Sequence, residues 1–215
     1  IMDEDISIIN SNTRNEKIKN FFINNKKKLF SIVLIVIFSL ISFFGYKEFN
    51  ERNHISISNQ YNSAIIEFSE DKKMNAANEF IDIVNKKDPT YSTLSLYFLI
   101  DNKLIADNKK INELFDIILE ETPLDDEIKK LVILKKALLN ADQFDEGSML
   151  TILNPVINSE SVWKAHALHL MAEFFYFKNE KQKAKEFYNQ IINLEKANPD
   201  IKIQAQKRLN RDFSE

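Results

Sequence analysis

The sequence predicts an all-α protein, with one membrane-spanning helix at the N-terminal end followed by a degenerate helical solenoid. Three observations predict it. Residues 29–46 carry no charged side chain. After Arg52 the apolar residues recur at helical spacing, and no window shows sustained strand alternation. Glycine (2 residues of 215) and proline (4) are too scarce to supply the tight, positive-φ turns of a β-rich fold.

Residues 1–28 form a basic tail. Arg14, Lys17, Lys19, Lys26, Lys27 and Lys28 face Asp3, Glu4, Asp5 and Glu16, a net of +2, which leaves −5 for the remainder of a chain whose total is −3. A mildly acidic main domain lacks the basic footprint of nucleic-acid binding, so no nucleic-acid partner is expected. Ile18, Phe21 and Phe22 lie at helical spacing among these lysines, which predicts an interfacial helix leading into the span and a contact with membrane lipid.

Residues 29–46 read LFSIVLIVIFSLISFFGY, and 13 of the 18 are Leu, Ile, Val or Phe. As a helix the stretch covers about 27 Å, close to the hydrocarbon thickness. Its large apolar residues favour insertion by about 4–8 kcal/mol. A buried core helix would keep a polar stripe, and this one has none. The run is longer than the core of a cleaved signal peptide, and Phe43-Phe44-Gly45-Tyr46-Lys47 offers no small-residue cleavage site. The expectation is an uncleaved signal anchor flanked by Lys26, Lys27, Lys28 and Leu29 on one side and by Tyr46 and Lys47 on the other. Six Lys/Arg precede it, against Lys47 and Arg52 just after it. That bias puts the N-terminus in the cytoplasm and residues 47–215 across the membrane, in the periplasm of a bacterium.

Residues 47–215 read as eight or nine helices. Tyr61, Ile65 and Phe68 share a face. Ala76, Ala77, Phe80, Ile81 and Val84 follow, then a dense apolar block from residue 91 to 105. Ile111, Leu114, Phe115 and Ile118 come next, then Ile128, Leu131, Val132, Leu138 and Leu139. Pro89 and Pro123 stand 34 residues apart, and at the same offset Ala77 matches Ile111, Ile81 matches Phe115 and Val84 matches Ile118. Thirty-four is the tetratricopeptide period. A third copy ends at Pro155, and a fourth shows Ala172, Phe175, Ala184 and Tyr188 at the repeat spacings before Pro199. The small residues let paired helices approach and the aromatics fill the gaps, while proline is expected in the first turn of each following helix.

This layout resembles the YfgM-like ancillary subunits of the bacterial SecYEG translocon. The resemblance is sharpest in Ala172-Glu173-Phe174-Phe175-Tyr176-Phe177-Lys178-Asn179-Glu180, followed by Ala184-Lys185-Glu186-Phe187-Tyr188. The family has Gly-Asp where Ala172-Glu173 and Asn179-Glu180 stand here. The resemblance implies a single-pass inner-membrane protein that binds other proteins and is not an enzyme. Its partners would be translocon subunits, a membrane-anchored periplasmic chaperone and exported clients. A tetratricopeptide protein coordinating cell-envelope or division complexes is the alternative, and it would more often carry heptads or a lipidated cysteine, neither of which this sequence has.

The search for chemistry names no catalytic, metal or cofactor residue and no small-molecule substrate. Without cysteine there is no thiolate nucleophile, thiolate-bound zinc or disulfide. No glycine-rich phosphate loop, G-x-S-x-G or H-E-x-x-H occurs. His166 and His169, with Glu173 four residues beyond His169, could form a metal face, but no second helix offers a matching pair, so a surface or packing role is expected. His54 lies just past the span, where an interfacial role is expected. Glu120-Glu121 and Asp125-Asp126 read as solvated helix ends, with Asp125 or Asp126 as an N-cap. In the aromatic cluster Trp163, Phe174, Phe175, Tyr176 and Phe177, Phe174 and Phe175 are expected to pack, leaving Tyr176 and Phe177 as candidates to face a partner.

Overall fold

The computed structural model describes residues 2–68 and 73–213, with side chains from residue 16 onward apart from residue 73. Every regular element among them is helical and none is a strand. Two compact units, Ile1–Ser56 and Ile57–Glu215, are each described by themselves.

The first unit belongs to a single helix, α1 (Met2–Glu67). Tail, span and the residues just beyond are one unbroken element. The helix expected over Ile18, Phe21 and Phe22 is part of this same element. The reason is local: proline is absent from residues 1–67, and the lone glycine, Gly45, has nothing within 4 Å of where a Cβ would lie. A shift in charge does not stop a helix; a missing N–H or a positive φ does. Among the described residues this is the one helix long and apolar enough to cross a membrane, and none of its most apolar window is buried within the protein.

In the second unit the last turns of α1 pack first. Ile57 and Ala64 are fully buried, with Tyr61 and Phe68 partly buried beside them. Ile65, expected on this face, points out at 36% exposure. Then follow α2 (Lys73–Asn85), α3 (Tyr91–Asp101), α4 (Asn108–Asp116) running into a π-helical turn (Ile117–Glu121), α5 (Asp126–Asn140), α6 (Glu146–Ile157), α7 (Lys164–Phe177), α8 (Lys181–Asn193) and α9 (Pro199–Asp212).

The connections are made without glycine. Lys87, Lys103 and Asn179 take left-handed φ values of 58°, 52° and 62°. After α3 the Leu104 N–H bonds the Leu99 carbonyl at 2.9 Å and the Lys103 N–H the Ile100 carbonyl at 3.0 Å. After α7 Glu180 bonds Phe175 and Asn179 bonds Tyr176 in the same way. These are Schellman closures, which satisfy the last carbonyls of a helix. They end α3 at Asp101, short of the apolar block expected to reach residue 105. Helix starts are capped as their sequence suggests. Asp107, Asp145 and Asn198 accept from Lys109, Ser148 and Asp200 at 2.9, 2.7 and 2.9 Å. The Asp88 carboxylate accepts from Thr90 and Tyr91, and the Ser92 hydroxyl accepts from the Asp88 N–H. Asp125 caps α5 through its backbone alone.

The prolines divide. Pro199 opens α9, as expected, while Pro89 lies in the turn just ahead of α3. Pro123 lies in the exposed loop ahead of Asp125. Pro155 lies inside α6, so it begins no helix, contrary to the reading of a third copy. Its missing N–H would have bonded the carbonyl of exposed Thr151, which water can satisfy instead.

The core is two apolar clusters that share α5. The first runs from Ile57 through Phe80, Leu96, Leu99, Leu114 and Phe115 to Val132. The second runs from Ala137 through Met149, Met171, Phe175 and Tyr188 to Ala205. Two residues placed on the inner face of α5 by periodicity are not there: Leu138 is 62% exposed and Ile128 39%.

Candidate functional site

The first candidate is the apolar segment of α1. Phe30, Ile35, Phe38 and Ile41 are 65–74% exposed, and the whole stretch to Tyr46 and Lys47 is uncovered. Lys26, Lys27 and Lys28 are exposed, and Leu29 is partly covered. Serines inside such a segment are tolerated when they bond the preceding turn, and the Ser31 hydroxyl does so, reaching the Lys27 carbonyl at 2.9 Å.

In the second unit the repeat-packing residues lie in the two clusters. Val84, Phe115 and Ile118 are fully buried, Ala77 and Ile111 nearly so, and Ile81 packs at the edge of the first cluster. Ala172, Phe175, Ala184 and Tyr188 are buried in the second. Small side chains at Ala172 and Ala184 leave room for α7 and α8 to meet, and the Phe175 ring stacks on Phe187 at 5.5 Å.

The most connected polar group is Glu173 on α7. It accepts from the Tyr188 hydroxyl of α8 at 2.5 Å, and from Arg208 of α9 through Nε at 2.8 Å and through Nη2. Arg208 also donates to Asp212 at 3.0 Å. Burial pushes the Glu173 carboxyl up, but the hydrogen bonds from Arg208 and Tyr188 outweigh it and hold it below the usual range. The hydrogen bond from Arg211, aided by Arg208, holds Asp212 at about 2. His169 Nε2 lies 3.9 Å from Glu173. Burial lowers its pKa, the nearby Glu173 opposes this, and Arg208 and His166 add to the lowering. A neutral imidazole beside a carboxylate already held by a guanidinium can pack and accept a hydrogen bond. No group of three His, Asp or Glu residues able to hold a metal occurs among the described residues. His166 stacks obliquely on Trp163, with ring centroids 5.3 Å apart.

The two aromatics expected to face a partner separate. Tyr176 is already occupied: Arg208 lies 4.7 Å over its ring and Phe213 meets it at 5.8 Å. Phe177 is 81% exposed. A cleft of about 380 Å³ opens between the residues leading into α7, including Ser161 and the 71% exposed Val162, and the α8–α9 connection at Leu194–Ala197.

Arg208, Glu127 and Ser161 escaped the sequence reading, although a signal existed. Several polar contacts that skip one helix fall near one repeat length. Ser58 meets Tyr91 at a separation of 33, Glu127 meets Ser161 at 34, Glu173 meets Arg208 at 35 and Glu146 meets Lys183 at 37. Asking which polar residues lie about 34 apart would have brought these pairs into view. Comparison with protein-family models, with curated proteins and with solved structures returns no match.

Proposed function

We propose that this chain is a membrane-anchored protein-binding scaffold of the YfgM-like kind, assisting exported chains at the Sec translocon in company with a periplasmic chaperone. One observation carries the reading: α1 presents an uncharged, uncovered apolar stretch next to three lysines and runs on into a purely helical folded unit. The recurrence of cross-helix polar contacts at separations of 33–37 supports a degenerate tetratricopeptide-like solenoid. Such stacked helix pairs offer a long surface for extended or partly folded segments. Lysine bias supports an N-terminus in the cytoplasm and the folded unit in the periplasm. The work done is binding: the anchor raises the local concentration of the folded unit where clients emerge.

Affinity purification of the intact protein from mild detergent tests this. Co-purification of translocon subunits and periplasmic chaperones is the expected result. Recovery of wall-synthesis or division proteins in their place would transfer the scaffold to that setting, and recovery of no partner would refute the binding role.

A further inference from the structure

We propose that Lys26, Lys27 and Lys28, with the Phe21–Phe22 pair beside them, hold the headgroups of acidic phospholipids in the bilayer that takes the apolar stretch. This rests on the membrane-anchor reading and names the lipid class it selects.

Helix continuity fixes the depth. Because α1 is unbroken, the three lysines lie within one turn of Leu29, the first residue of the uncharged stretch. That is headgroup level for a helix whose apolar part fills the hydrocarbon. Consecutive helical residues are turned about 100° from one another, so the three ammonium groups point to different sides of the helix and cannot share one acceptor. All three residues are exposed, and none has an acidic partner among the described residues. Glu16 is the sole acidic residue from 16 to 28. The missing counter-charge is therefore not supplied within the described chain.

A topology signal alone needs lysines but no aromatics. Here Phe21 and Phe22 are each 56% exposed, and their rings meet edge-on at 5.9 Å. They stand about 9–10.5 Å from Lys28 along the axis, at the outer edge of the headgroup layer. Apolar rings beside lysines suit an interfacial surface, and long lysine stems extend along it. Acidic headgroups complement this pairing of aromatic surface and unpaired positive charge; zwitterionic ones bring their own ammonium.

Quenching by brominated lipids tests the idea on the full chain. Trp163→Phe with Phe22→Trp places the one indole beside the lysines, and circular dichroism checks that the helices are retained. The chain is reconstituted in phosphatidylcholine containing either brominated phosphatidylglycerol or brominated phosphatidylcholine. One lysine near an anionic surface is worth about a fivefold preference, so at least fivefold selectivity for phosphatidylglycerol is expected. Combined replacement of the three lysines by Gln should bring the ratio to about one, as should about 0.5 M salt, while replacement by Arg should keep it. Equal quenching by both lipids, or selectivity that survives the Gln variant, overturns the proposal while leaving the anchor standing. Quenching by neither lipid overturns the proposal, and overturns the anchor reading as well when an indole placed inside the apolar stretch by Ile35→Trp is also unquenched.

Discussion

Replacing Glu173 by alanine removes the carboxylate that ties α7 to both α8 and α9. The Tyr188 side chain, fully buried, loses the acceptor 2.5 Å from its hydroxyl. A buried hydroxyl left without a partner costs about 1–3 kcal/mol. Arg208 loses both of its bonds to Glu173 but keeps Asp212 at 3.0 Å, and its side chain is 25% exposed, so solvent makes up part of the deficit. That second loss is about 0.5–1 kcal/mol, well short of the several kcal/mol for a fully buried ion left alone. The expected destabilisation is about 1.5–4 kcal/mol. For a urea slope of about 2 kcal/mol per molar, the midpoint falls by about 0.75–2 M. Trp163 is the only tryptophan and packs against the second core cluster, so its fluorescence reports this region during urea titration of the full chain in detergent. Adding Tyr188→Phe should recover part of the loss, because it removes the orphaned hydroxyl. A destabilisation below about 0.5 kcal/mol, with no recovery in the double variant, would refute the assignment of Glu173 as the tie.

Three further outcomes are expected. Burial makes the folded state favour neutral His169, so the stability it contributes is complete above its ordinary value of 6.5 and declines as pH falls below that value; His169→Gln should flatten the urea midpoint between about pH 6.5 and 5, and an unchanged slope would count against it. Lys103 holds a φ of 52°, which costs a side chain about 1 kcal/mol and costs glycine nothing, so Lys103→Gly should raise thermal stability by about that amount. Ile35→Arg together with Ile41→Arg puts two charges into the uncovered segment at about 3 kcal/mol each, enough to cancel most of the insertion energy; alkaline extraction of membranes should then release the chain, whereas the unaltered protein stays in the pellet.

The second unit was legible where periodicity and side-chain size act together. Phe80, Val84, Phe115, Ile118, Phe175 and Tyr188 combine helical spacing with bulk, and all are buried. Ile65 and Leu138 have the spacing too, yet they are exposed, because a helix turned slightly about its axis presents a different edge and only its neighbours decide the angle. The unbroken α1 was harder to read than its composition suggested. The shift from lysine-rich to apolar sequence marks a change in polarity, while no residue there stops a helix. The helix end at Lys103 gave little warning, since lysine in a left-handed turn has no sequence signature. The π-helical turn at Ile117–Glu121 was equally silent: an extra residue shifts the pattern by too little to notice in a short helix. Among the aromatics of α7, four in a row cover every side of the helix, and only the position of Arg208 and Phe213 shows that Tyr176 is taken and Phe177 is not.

In-cell photo-crosslinking tests the central proposal most directly. A photoreactive residue at exposed positions between 90 and 190, Val162 and Phe177 first among them, captures whatever the folded unit holds in the intact membrane. A membrane-anchored export scaffold predicts adducts with translocon subunits or nascent exported chains, lost when the Ile35→Arg, Ile41→Arg chain is released from the membrane. Adducts confined to wall-synthesis enzymes, or an adduct pattern indifferent to that release, would contradict it.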